Sequence, residues 1–186
     1  MKIIDHKLQS AKWCPSPNFN ERPDTNTDAA INMLVVHNIS LPPNEFGGCY
    51  IEDFFSNALD CNAHPYFQTI KELQVSSHLL IKRDGEVIQF VPFNKRAWHA
   101  GLSEFKGEKN CNDFSIGIEL EGADHIAYES AQYETLASVS NVLMQTYPGI
   151  VQDRLVGHSD IAPGRKTDPG ESFDWARFKK CLLAEN

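Results

Sequence analysis

The sequence predicts an α/β protein of the α+β type, with a mixed central β-sheet flanked by α-helices. Three features support this class: β-branched apolar runs, segments with helical apolar spacing, and one clear hairpin signal, all intermixed along 186 residues. A chain of this length lies in the single-domain range. We expect one domain over residues 1–186. Residues 1–28 should form an N-terminal arm packed on that domain, and its second half is polar and rich in Pro and Asn.

The first half of the chain contains three predicted elements. Residues 31–39, INMLVVHNI, are apolar and β-branched, which predicts a buried strand with His37 near its end. Residues 51–59 have apolar residues at helical spacing and predict a helix. Residues 76–93 predict a hairpin, because two apolar runs flank Asp84-Gly85, a pair that suits a two-residue type I′ turn.

The second half predicts one strand, two helices and an unusual loop. Residues 115–121, SIGIELE, alternate as a strand does, with apolar residues on one face and glycine and glutamates on the other. Residues 130–147 and 173–183 have helical spacing. Between these helices, residues 155–158 form an apolar run that enters residues 157–170, GHSDIAPGRKTDPG. Because glycine and proline are so frequent there, we expect an irregular loop without regular helix.

Composition limits the classes of partner and of compartment. The net charge is −8 and the pI is near 5.3, without the basic cluster that nucleic-acid or membrane-surface binding requires. No segment approaches the roughly 20 apolar residues of a membrane span, and we see no signal-peptide pattern. The five cysteines are scattered and odd in number, which suits a reducing compartment. We therefore expect a cytoplasmic protein that binds neither nucleic acid nor membrane.

The irregular loop suggests a site because it carries several ionisable groups. His37 and His158 each end a strand-like run, and Asp168 could fold back towards His158 across the Pro/Gly-rich loop. Two imidazoles and one carboxylate form a catalytic type of zinc site, with the fourth position left for water. Glu119 and Lys166 are then candidates for proton transfer and for oxyanion stabilisation. The alternative is that each histidine is a packed or surface residue, and pattern alone leaves both readings open.

Five blocks, in order, carry a resemblance to a known family. They are VVHNISLPPNEFGG, NAHPYF, RAWHAG, CNDFSIGIELEG and GHSDIAPGRKTDPG. With them, residues 15–178 resemble the zinc N-acetylmuramoyl-L-alanine amidases related to peptidoglycan recognition proteins and T7-type lysozyme. Within that family they are similar to the cytoplasmic 1,6-anhydro-N-acetylmuramoyl-L-alanine amidases of Gram-negative bacteria. The resemblance implies the mixed-sheet amidase fold of these proteins.

The resemblance also implies roles for particular residues. One Zn²⁺ per chain would be held by His37, His158 and Asp168, with Glu119 and Lys166 as the catalytic residues. Contacts with the substrate are expected from a further group of positions: Asn38, Tyr66, Trp98 and the backbone near Ala162.

The implied reaction is hydrolysis of the amide bond between the lactyl group of 1,6-anhydro-N-acetylmuramic acid and L-alanine in muropeptides. Two alternatives are a module that binds muropeptides without catalysis and an amidase that acts on intact peptidoglycan. The three metal-binding positions favour catalysis over binding alone. The oligomeric state is left open, with a monomer as the simplest expectation.

Overall fold

The structure is a computed structural model that describes residues 1–23 and 31–184. The strands, in chain order, are β1 (Ile3–Ile4), β2 (Lys7–Leu8), β3 (Lys12–Trp13), β4 (Phe19–Glu21), β5 (Met33–Ile39), β6 (Leu79–Ile81), β7 (Val87–Gln89), β8 (Lys95–Ala97), β9 (Glu104–Phe105), β10 (Glu108–Lys109), β11 (Ser115–Glu121) and β12 (Leu155–Gly157). The α-helices are α1 (Tyr50–Phe55), α2 (Phe67–Ile70), α3 (Ser130–Thr146), α4 (His158–Ile161) and α5 (Trp175–Ala184). Two 3₁₀ turns lie at Cys111–Asp113 and Gln152–Arg154.

In the described part of the chain, six strands form one mixed sheet. Their order is β12-β5-β11-β6-β7-β3. All neighbours are parallel except β6 and β7, which are antiparallel and form the predicted hairpin. The predicted fold class is therefore confirmed.

Helices cover both faces of the sheet. On one face, α3 and α5 pack against alternate residues of the strands, among them Leu34, Val36, Ile116 and Ile118. On the other face, α1 and α2 pack over β6 and β7, while α4 and the segment before β11 pack over β5. Because both faces are covered, every residue of β11 is buried, including the glutamates that we expected on a separate polar face.

The hairpin turn differs from the predicted two-residue type. Gly85 N donates to Lys82 O at 2.9 Å and Lys82 N donates to Glu86 O at 2.9 Å, so three residues connect the paired positions. Gly85 has φ +88°, whereas Asp84 does not have positive φ. A type I′ turn needs positive φ at both central residues, so the prediction of that turn was wrong. Asp-Gly here ends a three-residue loop with glycine in the left-handed position.

Two predicted helical boundaries also differ. Helix α1 ends at Phe55 rather than near residue 59, because Asn57 takes a left-handed φ of +60° and the Ser56 hydroxyl bonds back to Glu52 O. Residues 157–170 were expected to lack regular helix, yet His158–Ile161 form one helical turn. That turn fits between Gly157 and the first proline of the loop, Pro163, so the helix breakers limit its length without preventing it.

The N-terminal residues pair with the rest of the chain. Strand β3 lies parallel to β7 at the edge of the central sheet, and β4 pairs antiparallel with β8. The last residues of the predicted arm, 24–28, lie outside the described residues. None of the helices in the described ranges is long and apolar enough to cross a membrane.

Candidate active site

Neighbouring parallel strands bring the predicted catalytic groups together at their carboxyl ends. Strand β5 lies between β12 and β11, and His37 on β5 pairs directly with Glu119 on β11. Gly157 pairs with Val36, so His158, the next residue, emerges beside His37. The two histidines, far apart in sequence, meet because their strands are adjacent. Ligands commonly bind at this end of parallel strands in α/β proteins.

Three donor atoms converge at this point. His37 Nδ1 lies 2.9 Å from His158 Nδ1, and Asp168 Oδ2 lies 3.0 Å from each of these nitrogens. All three residues are buried. They form the one potential metal-binding group of His, Cys, Asp and Glu side chains among residues 1–23 and 31–184.

The geometry and the donor types fit zinc. Ligand atoms of a tetrahedral zinc site, with bonds of about 2.0 Å, lie roughly 3.3 Å apart, close to the observed separations. Imidazole nitrogens favour zinc and similar transition metals over Ca²⁺ and Mg²⁺, which prefer oxygen. His158 Nε2 lies 3.0 Å from Ala100 O, a group that can only accept, so the proton of a neutral His158 is on Nε2 and its Nδ1 lone pair points to the other ligands.

Burial and mutual contacts shift the pKa values in the direction that ligation requires. Burial lowers the pKa of His37 to about 4, so this imidazole is neutral at pH 7. Burial acts to raise the pKa of Asp168, but contacts with His158 and His37 outweigh it and hold that pKa below its ordinary value. The group therefore offers neutral imidazole and an ionised carboxylate, the forms that bind metal.

Glu119 faces the same point from β11. Its side chain is buried, and its Oε2 has no hydrogen-bond partner among the described residues. Burial and the negative charge of Asp168 raise the pKa of Glu119 well above its ordinary value, while Lys166 acts in the opposite direction. A carboxyl with a raised pKa in a cleft is suited to accept and return a proton near neutral pH.

The loop returns Asp168 to the histidines through several anchors. Ser159 N donates to Asp168 O at 3.0 Å. The next carbonyl, Pro169 O, accepts from Tyr128 Oη at 2.7 Å and from Asn38 Nδ2 at 3.0 Å. Asp160 Oδ2 accepts from Gly157 N at 2.7 Å, which ties the start of the loop to its first helical turn.

A cleft of about 560 Å³ opens onto the three donor atoms. It is lined by His37, His158, Asp168, Glu119 and Lys166, and by the predicted substrate residues Asn38, Tyr66 and Trp98. Lys166 is exposed at the cleft.

Two of the predicted substrate contacts need comment. Ala162 is not among the lining residues, and its backbone is engaged internally: its N donates to His158 O and its O accepts from the amides of Arg165 and Lys166. The substrate contact near Ala162 stays a prediction. Asn38 lines the cleft, but its amide also donates to Asp124 Oδ1 at 2.8 Å and to Pro169 O at 3.0 Å, so it braces the loop that carries Asp168.

One neighbour of the site was not predicted. His99 has its Nδ1 2.9 Å from His37 Nε2. It lies in a segment without regular periodicity, far from either ligand in sequence. The RAWHAG block contained His99, but nothing in the block indicated which group it would contact.

Comparison with known proteins agrees with this geometry. The family model described as N-acetylmuramoyl-L-alanine amidase matches residues 27–171. The 1,6-anhydro-N-acetylmuramyl-L-alanine amidase AmpD of Citrobacter freundii is 58% identical over 98% of this chain and 95% of its own length.

Solved structures give the same result. A crystal structure of a selenomethionine derivative of AmpD has a TM-score of 0.93 and 55% identity, covering 98% of this chain and 99% of its own. The Escherichia coli amidase AmiD, in complex with anhydro-N-acetylmuramic acid-L-Ala-D-γ-Glu-L-Lys, has a TM-score of 0.60 and 28% identity, covering 88% of this chain and 65% of its own. The chain therefore belongs to the N-acetylmuramoyl-L-alanine amidase family.

Proposed function

We propose that this protein is a zinc-dependent hydrolase of soluble anhydro-muropeptides. It cleaves the amide bond between the lactyl group of 1,6-anhydro-N-acetylmuramic acid and L-alanine. The observation that carries the proposal is the convergence of His37, His158 and Asp168 beside a buried Glu119 whose Oε2 lacks a hydrogen-bond partner within residues 1–23 and 31–184. Similarity to AmpD over nearly the whole chain supports this choice of substrate.

His37 Nδ1, His158 Nδ1 and Asp168 Oδ2 would hold the zinc ion. When bound, zinc supplies Lewis-acid chemistry, which lowers the pKa of a water and polarises a carbonyl. The chain's own contribution begins with geometry, because strand pairing places Glu119 beside His37.

Glu119 moves the proton. Its ionised carboxylate accepts a proton from the attacking water and then donates it to the amide nitrogen as the C–N bond breaks. The products are a lactyl carboxylate and the free amino group of L-alanine, so one water is consumed per bond. The raised pKa of Glu119 suits both halves of this cycle.

Lys166 stabilises the charge that develops on the carbonyl oxygen. Its side chain lines the cleft, and it interacts electrostatically with both Glu119 and His37. A fixed cation at that position favours the tetrahedral oxyanion over the neutral amide, which lowers the barrier. Tyr66 and Trp98, on the cleft wall, offer aromatic faces for the sugar or peptide.

The direct test is an assay with purified anhydro-muropeptide, with and without a chelator, in which products are weighed by mass spectrometry. We expect free anhydro-sugar and free peptide, loss of turnover with chelator, and recovery with added zinc. The Asp168→Ala variant should remain folded by circular dichroism and be inactive. Full activity of Asp168→Ala would contradict the assignment of the ligands.

The two rival functions give different results in the same experiment. A module that only binds muropeptides would bind substrate without forming products. An amidase of intact peptidoglycan would release peptide from purified sacculi as fast as from soluble fragments. We expect turnover of the soluble fragments to be much faster.

We also propose that the protein acts in the cytoplasm. The five cysteines, Cys14, Cys49, Cys61, Cys111 and Cys181, are all free, which suits a reducing compartment. Fractionation of cells that express the native chain, with immunodetection in each fraction, tests this; recovery in the periplasm would contradict it.

A further inference from the structure

A hydrogen-bonded chain runs from the metal-binding group into the protein behind His37. His37 Nε2 lies 2.9 Å from His99 Nδ1, and His99 Nε2 lies 3.1 Å from Ser115 Oγ. Ser115 Oγ lies 2.5 Å from Cys111 O. The outer partner of a metal-binding histidine is usually a carboxylate, a carbonyl or water, so a second imidazole in this place needs an explanation.

The direction of each hydrogen bond follows from the end of this chain. Cys111 O can only accept, so the Ser115 hydroxyl donates its one proton there. Ser115 Oγ must then accept from His99 Nε2–H, which leaves Nδ1 of a neutral His99 unprotonated. His99 Nδ1 accepts in turn from His37 Nε2–H, so the free lone pair of His37 is on Nδ1, the atom that faces His158 and Asp168.

The residue after His99, Ala100, accepts a hydrogen bond from the second histidine ligand and so fixes its tautomer. Ala100 O accepts from His158 Nε2, as described above. Both backbone amides of this dipeptide donate to one acceptor, Asn112 Oδ1, at 3.2 Å for His99 and 2.8 Å for Ala100. Asn112 is buried. One anchored dipeptide thus contacts both imidazoles from behind.

Strand β11 provides the space that His99 occupies. A Cβ atom built on Gly117 would lie 2.5 to 2.8 Å from three atoms of the His99 ring, closer than real contacts allow. Gly117 lies between Ser115 and Glu119 in the strand, on the same face as both, because successive side chains alternate. Any other residue at position 117 would push the ring away from His37.

We propose that His99 is a positioning residue for the metal centre. It holds His37 in the Nε2–H tautomer and in the orientation that presents Nδ1 to zinc, and Ser115 fixes the tautomer of His99 itself. The inference rests on the zinc site proposed above and adds residues beyond its three ligands.

The test measures zinc affinity, by competition of the purified protein with a chromophoric chelator at constant pH. His99→Leu removes the acceptor for His37 Nε2–H, and we expect about 10- to 100-fold weaker zinc binding. His99→Gln keeps a side-chain oxygen that can accept, so we expect partial recovery. His64→Gln, which removes a histidine outside the cleft lining, is the matched control and should keep native affinity.

Ser115→Ala provides a second, smaller change that leaves His99 in place. Without the hydroxyl, the Nε2–H of His99 loses its acceptor, so the ring is no longer restricted to one tautomer. Nitrogen-15 NMR of the imidazoles in the zinc-loaded protein should show His99 protonated on Nε2 in the native chain. In Ser115→Ala we expect a mixture of tautomers and weaker zinc binding, at unchanged circular dichroism.

The outcomes separate this inference from the proposed function. If the native chain binds no zinc, the proposed function itself is wrong. If the native chain binds zinc and folded His99→Leu binds it equally tightly, the role of His99 is wrong and the zinc site stands. A native His99 protonated on Nδ1 would also overturn the inference, because that tautomer cannot accept from His37. If His99→Gln loses as much zinc affinity as His99→Leu, His99 acts only by packing, and the inference is overturned as well.

Discussion

At the scale of single residues, Glu119 shows a conflict between activity and stability. In the unfolded chain its carboxyl has an ordinary pKa near 4.5, and burial and Asp168 raise that pKa well above this value in the folded protein. Above pH 4.5, Glu119 therefore loses its proton in the unfolded chain while it still keeps it in the folded protein. The free energy of unfolding consequently decreases as pH rises. The group that accepts a proton in the reaction is also one that weakens the fold.

We expect Glu119→Gln to stabilise the metal-free protein. At pH 7 the free energy of unfolding should rise by roughly 1 to 3 kcal/mol, because the variant removes a buried carboxyl whose ionisation the fold disfavours. The gain should disappear as pH approaches 4.5, while activity falls at all pH values. Denaturant titrations at several pH values measure this, with the exposed Glu134→Gln on α3 as control. A destabilised Glu119→Gln would contradict the explanation.

Lys166→Met should change both the rate and its pH dependence. Loss of the cation that stabilises the oxyanion should lower kcat by about 10²- to 10³-fold. Lys166 also favours the ionised form of Glu119, so without it the pKa of Glu119 rises and the acidic limb of kcat/KM moves to higher pH. Lys166→Arg keeps the charge and should keep the limb in place. If the acidic limb of kcat/KM stays at the same pH in Lys166→Met, electrostatic coupling between Lys166 and Glu119 is contradicted.

The sequence allowed the proposed zinc ligands to be predicted, but not the residues that hold those ligands in position. His37, His158, Asp168, Glu119 and Lys166 were proposed from the strand-end pattern and the family resemblance. The position of His99 depends on how an irregular segment folds over β11, and no local pattern encodes that path. Ala162 lies in one of the blocks that carry the resemblance, but the block did not reveal that its backbone N–H and C=O form hydrogen bonds within the loop.

At the scale of elements, the loop that carries Asp168 depends on distant anchors. Tyr128→Phe removes one of the two donors to Pro169 O. We expect about 1 kcal/mol loss of stability and several-fold weaker zinc binding, because Asp168 precedes this carbonyl. Tyr133→Phe is the matched control: its hydroxyl accepts from Asp174 N, away from the metal, so stability should fall without change in zinc affinity. Equal zinc affinities in both variants would exclude the anchoring role.

Gly85 tests the corrected turn of the β6–β7 hairpin. Its φ is +88° and a Cβ would lie 2.9 Å from Thr135 Oγ1, so Gly85→Ala combines backbone strain with a steric contact. We expect a loss of roughly 1 to 3 kcal/mol. Gly107 has a similar φ of +87°, but a Cβ there would have no atom of the described part of the chain within 4 Å, so Gly107→Ala measures backbone strain alone. Thermal or denaturant unfolding of both variants should show the larger loss at Gly85.

Helices and strands with a periodic apolar pattern over many residues were predicted accurately. Those whose ends depend on local hydrogen bonds and backbone conformation were predicted less accurately. The strand at residues 115–121 and the long helix α3 were predicted almost to the residue. Helix α1 ended early because Asn57 takes a left-handed conformation, and Asp-Gly formed a longer turn than expected because that pair suits more than one loop length. A single helical turn at His158 is too short for any periodic signal.

At the scale of the whole molecule, bound zinc should connect segments from both ends of the chain. Ligand binding to the folded state alone adds stability, about 4 kcal/mol when zinc is at 1,000 times its dissociation constant. We therefore expect a chelator to lower Tm markedly and added zinc to restore it. Asp168→Ala should abolish the zinc-dependent change, whereas the exposed Asp153→Ala should retain it. A zinc-independent Tm in the native chain would contradict the proposed site.

The mixture of strand and helix patterns predicted the overall architecture, but it did not predict the order of the strands in the sheet. Sequence spacing alone could not show that β12 and β11 both pair with β5, since parallel neighbours join segments far apart in the chain. That order is the physical reason that the two histidines meet. The family resemblance implied a mixed sheet flanked by helices, without an order for its strands.

The parallel placement of β12 beside β5 also has a consequence for the growing polypeptide. Glu119 and His37 can pair once β11 has been synthesised, but His158 and Asp168 belong to the final sixth of the chain. A nascent chain that has not yet reached Asp168 lacks at least one of the three donors. If the chain binds zinc as proposed, the complete set of three ligands therefore exists only after synthesis has passed through Asp168, the last ligand in the sequence.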